Sequence, residues 1–95
     1  MTTRNQSREF ALASDDHERL ANLAGPVEAH LRQIESRLGI EIANRGAVFR
    51  LTGSNTATRR GEALIRALFD ATEAATIGEH DVHLALNETG ADRIA

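Results

Sequence analysis

The chain has 95 residues, 41% hydrophobic and 26% charged, with a formal net charge of −3. That is the composition of one soluble globular domain, large enough to bury roughly two-thirds of the surface its unfolded chain exposes. It has no cysteine, and all eleven basic residues are arginine, so disulfides, thiolate metal sites, cysteine nucleophiles, P-loop lysines and Schiff-base lysines are excluded.

No apolar run approaches the ~20 residues of a membrane span. The opening MTTRNQSRE lacks the apolar centre of a signal peptide. A reducing cytoplasm suits such a chain. Residues 1–7 read as a disordered tail. Over 8–13, Phe10 and Leu12 alternate with polar or small neighbours and predict a short strand. Ser14 or Asp15 then offers an N-cap, and Glu18 follows Asp15 at capping-box spacing. From Asp16 the apolar residues Leu20, Leu23 and Ala24 are spaced for a helix, which Gly25 stops.

Pro26 is suited to the first turn of a second helix, so Gly25-Pro26 predicts a tight corner between consecutive helices. In that helix Val27, Leu31, Ile34 and Leu38 make one apolar stripe, and Glu28 and Arg32 form an i,i+4 pair. His30 borders the stripe, a place for a partly buried, hydrogen-bonded imidazole. Gly39 ends the helix. Two alternating runs follow, one with Ile40 and Ile42, the other with Phe49 and Leu51. Asn44-Arg45-Gly46 between them predicts a hairpin turn.

Thr52 to Asn55 breaks the second run and supplies a cap. Residues 56–75 carry the longest helical pattern. Ala57, Gly61, Leu64, Leu68 and Ala75 share one side, and Ile65 and Phe69 widen it. Arg59, Arg60 and Arg66 form a solvated face, with Glu62 and Arg66 able to pair. A short helix from His80 to Glu88 brings Val82, Ala85 and Leu86 together. Residues 89–95 read as a linker. The expected architecture is α+β: a three-stranded sheet with helices on one face and a short C-terminal helix.

The order β-α-α-β-β-α with a glycine corner resembles a type I KH domain, in which a GXXG loop clamps nucleotide backbone. The wording ERLANLAG, LRQIESRLGIEIANRG, FRLTG and EHDVHLAL, over about residues 8–88, resembles the N-terminal region of PhoH-like, phosphate-starvation-inducible ATPases. The resemblance implies a KH-like accessory domain at 8–88, followed in the whole protein by a P-loop ATPase domain. No G-x-x-x-x-G-K-[ST] motif occurs in these 95 residues. ATP and magnesium would belong to that further domain, and no cofactor is expected in this chain. The resemblance also implies a role in RNA metabolism, with single-stranded RNA, the ATPase domain in cis or a ribonuclease as partners, and oligomers formed through the ATPase domain.

At the corner, the glycine that a GXXG loop would end on is Glu28. Its carboxylate repels phosphate, and Pro26 removes an N–H donor. Gly25, Pro26 and Glu28 therefore read as a structural corner. Arg32, Arg45 and Arg50 are the candidate nucleic-acid contacts, since a guanidinium grips phosphate in a fork or stacks on a base. Three aromatics provide no evident stacking platform.

His80 and His83 with Asp81 supply two ligand-type imidazoles but no evident third partner, so no metal site is expected. Ser14-Asp15-Asp16-His17 has triad ingredients, but contiguous residues entering a helix do not converge on one atom. No nucleophile–base pair or paired carboxylate is visible, and a non-catalytic chain is expected. The rival expectation is a protein–protein or oligomerisation module without nucleic-acid binding.

Overall fold

The computed structural model describes residues 6–88. Strand β1 (Gln6–Ala11) leads into helix α1 (His17–Ala24). After the corner come α2 (Ala29–Leu38), β2 (Glu41–Arg45) and β3 (Val48–Gly53). Helices α3 (Asn55–Ala71) and α4 (Glu79–Glu88) complete the fold. The three strands form one antiparallel sheet in the order β1-β3-β2. The architecture is therefore α+β, with an open sheet and helices packed on one face. No helix among the described residues is long and apolar enough to cross a membrane.

Alternation along β3 sets which face is which. Phe49, Leu51 and Gly53 are buried, while Val48 and Arg50 are exposed, the period-2 pattern of a strand with one dry face. β1 pairs with β3 so that Phe10 lies opposite Phe49, and their rings stack at 5.8 Å. Helix α3 packs on the same face through Leu64, Ile65, Leu68 and Phe69, all buried. Gly61 allows its close approach: a Cβ there would lie 2.9 Å from both Ile40 Cδ1 and Leu51 Cδ1. Leu31, Ile34 and Leu51 share this interior, with Ile42 packed against it. Helix α4 closes the core with Val82 and Leu86, packing on α2 and α3.

Several boundaries differ from expectation. β1 begins at Gln6, so Gln6 and Ser7 belong to the sheet and not to a tail; residues 1–5 and the 89–95 linker lie outside the described residues. Leu12 is buried just past the strand, its amide donating to Ala47 O. The hairpin turn is Gly46-Ala47, because Arg45 pairs with Val48 and closes β2. Asn44 still serves the turn, donating from Nδ2 to Gly46 O. Helix α3 ends at Ala71, leaving Thr72 to Gly78 as a connection.

The α1 cap is Asp16, not Asp15 or Ser14. Its carboxylate accepts from the Glu18 and Arg19 amides, at 2.9 and 3.2 Å, and Ser14 Oγ accepts from the Asp16 amide. The capping box at Asp15 and Glu18 therefore does not form. Asp16→Ala is expected to cost about 1 kcal/mol in urea unfolding, with Asp15→Ala near neutral.

Candidate functional site

The corner between α1 and α2 departs most from its expected form. Gly25 caps α1 at φ 80°, ψ 172°, a backbone region open essentially only to glycine. Its missing Cβ leaves room for the His30 ring, which stacks directly beneath it. Pro26–Glu28 is a tight turn closed by two i→i+3 hydrogen bonds, from the Glu28 amide to Gly25 O and from the Ala29 amide to Pro26 O, and not the start of α2. Val27 and Glu28 both adopt left-handed backbone, at φ 51° and 60°. Left-handed backbone costs roughly 1–2 kcal/mol per L-residue, and a β-branched valine there is an outlier. Val27 is 94% exposed, so it leaves the apolar stripe to which its spacing assigned it.

This geometry bears on phosphate. The amides of Gly25, Glu28 and Ala29 already donate within the chain, to Ala21 O, Gly25 O and Pro26 O. Pro26 has no N–H. Glu28 brings a carboxylate to the corner's last position, where it faces Arg32 at 4.0 Å.

The three candidate arginines occupy different settings. Arg32 on α2 lies between Glu28 and Glu35, 3.7 Å from the latter. Glu35 in turn accepts the Ile42 amide at 2.8 Å, which ties the open edge of β2 to α2. Arg50 and Arg45 share the helix-free face of the sheet. Arg45 pairs with Val48, two positions from Arg50, so the two are diagonal neighbours. Arg50 reaches Glu9 across β1 at 3.4 Å. Arg45 is exposed and has no carboxylate partner among the described residues. Glu35, Glu41 and Arg50 line a shallow recess at β2 that does not include Arg32 or Arg45.

Arg66 bonds Glu62 as its i,i+4 spacing predicts, at 2.9 Å. It does more than face water. It reaches Ala11 O and lies over the Phe10 ring, while Arg8 takes the other oxygen of Glu62 at 3.1 Å. Among the described residues no three metal-ligating side chains come together. His83 Nδ1 faces an Arg37 guanidinium nitrogen at 3.0 Å.

A larger feature was not visible in the residue pattern. An open groove of about 1200 Å³ runs between α1, the corner and the 72–78 connection. Two α1 side chains hold that connection. Arg19 donates to Thr72 Oγ1 and Phe69 O and lies over the Phe69 ring, 4.0 Å from its centre. Asn22 acts as a substitute peptide group: Nδ2 donates to Ala75 O, and Oδ1 accepts from the Ile77 amide, both at 2.9 Å. The only sequence signal is a polar residue near the buried Leu23, Asn22 next to it and Arg19 one helical turn before it. Their partners lie more than 45 residues away.

No protein-family model matches this chain, and no solved structure matches it.

Proposed function

We propose that this chain is a non-catalytic, KH-like accessory domain of a PhoH-like ATPase that positions protein partners in cytoplasmic RNA metabolism, without clamping phosphate itself. The element order β1-α1-α2-β2-β3-α3, with a four-residue corner between the first two helices, supports the KH-like topology. The wording over residues 8–88 supports the ATPase link, and any ATP and magnesium chemistry would belong to the further P-loop domain. One observation carries the preference for protein contacts. Glu28 stands in left-handed backbone at the end of a corner whose neighbouring amides are already bonded. A phosphate there would meet a carboxylate and find few donors.

The second reading, single-stranded RNA on the outer sheet face, rests on Arg45, exposed beside Arg50. A fluorescence-anisotropy titration with a single-stranded RNA, at about 50 and 200 mM salt, separates the two, because phosphate-dominated binding falls steeply over that range. We expect no saturable binding at either salt. Saturable binding that salt weakens, and that Arg45→Glu with Arg50→Glu abolishes, would favour the RNA reading instead.

A further inference from the structure

We propose that this chain pairs with a second copy of itself through the open edge of its sheet, β2 against β2, antiparallel about Ala43. The inference goes beyond the reading above and does not depend on it.

β2 is an edge strand, because the sheet order is β1-β3-β2. In an antiparallel sheet, successive amides of a strand turn to opposite sides. The Ile42 amide donates to Glu35 Oε2 on α2 and not to β3, so it faces outward. The Asn44 amide, two residues on, faces the same way. Beside this edge lies a recess of about 430 Å³, lined in part by Glu35, Glu41, Ile42 and Ala43. An outward row of backbone donors and acceptors is a template for another strand.

The charges on β2 select a second copy. Glu41, Ala43 and Arg45 share the helix-free face and are all exposed. Turning the strand end for end lays Ala43 on the partner's Ala43 and sets Glu41 opposite the partner's Arg45 at both ends, each residue keeping its own face. Residues directly opposite interact, and a small side chain suits the centre, where such strands approach most closely. Neither Glu41 nor Arg45 has an oppositely charged partner among the described residues. Ile42 then meets the partner's Asn44, whose carbonyl takes the place of the Glu35 carboxylate on the Ile42 amide. Glu35 keeps Arg32 at 3.7 Å. The β1 edge lacks this property. With six residues, its end-for-end register sets opposite faces against each other. The adjacent registers lay Arg8 on Arg8 or Glu9 on Glu9, and like charges directly opposite repel. Pairing therefore stops at two copies.

A five-residue edge is smaller than a standard protein interface, so the association is weak and reversible. Sedimentation equilibrium of the full chain, up to about 1 mM, should show a concentration-dependent dimer. Amide NMR shifts of Ile42 to Arg45 should move with concentration over the same range. Glu41→Arg alone, or Arg45→Glu alone, sets like charges opposite each other at both ends, and each should weaken the dimer by about tenfold or more. An equal mixture of the two variants matches both ends again, and should regain wild-type affinity to within about threefold. Both positions are exposed, so both variants should fold. The proposal is overturned if the wild-type chain stays monomeric throughout, if the single variants associate as the wild type does, or if their mixture associates no better than either alone. Each of these removes the β2 contact only, whereas the RNA titration above judges the functional reading separately.

Discussion

Phe49→Ala is expected to lower the unfolding free energy by about 3–5 kcal/mol. Phe49 sits on the central strand, 1% exposed, with its ring against Phe10. Removing it deletes the stacked pair and opens a cavity under α3 that neighbouring backbone cannot readily fill. A domain of this length commonly has about 5–14 kcal/mol of stability in total, so the variant should unfold at far lower urea. Val48→Ala is the control. It sits one residue away on the outer face, 43% exposed, and should shift stability by no more than about 0.5 kcal/mol. Similar urea midpoints for the two variants would show that the faces of the sheet have been assigned wrongly.

At the corner, Gly25→Ala is expected to destabilise by about 2–5 kcal/mol, combining backbone strain with overpacking. The new Cβ would lie 2.6 Å from His30 Cγ, on backbone at φ 80°. His30 cannot swing aside without giving up Leu23 O. Glu28→Gly runs the other way. Relief of left-handed strain outweighs the added freedom of the unfolded chain, so stability should stay level or rise by up to about 1 kcal/mol. Urea unfolding measures both. Destabilisation by Glu28→Gly would mean that the carboxylate contributes more than its long contact with Arg32 indicates. The same variant restores glycine at both ends of the corner. It should still gain no RNA affinity, because the amides of Glu28 and Ala29 remain turned to Gly25 O and Pro26 O.

Much of the frame was legible one residue at a time. Phe49 and Leu51 announce a strand with one dry face. Gly39 stops α2, Ser54 caps α3, and Glu62 pairs with Arg66. Each depends on spacing within a few residues, where helix and strand periods act directly. The corner was legible in part. Gly25-Pro26 marked the turn and Glu28 the missing second glycine, but the valine spacing suggested core. The left-handed turn over Val27 and Glu28 breaks the helical register before Ala29, so the stripe begins at His30 and Leu31 and Val27 points outward.

Periodicity, caps and turn residues along the chain determined the α+β class, the order of elements and the corner's poverty in phosphate donors. Tertiary structure alone decided that β3 lies central, that Arg50 meets Glu9 while Arg45 meets no carboxylate among the described residues, and that Arg19 and Asn22 hold the 72–78 connection beside His30. The division has a physical cause. Local backbone preferences act over three or four residues, whereas a side chain's partner is chosen by whichever distant segment the collapsed core brings within about 3 Å of it.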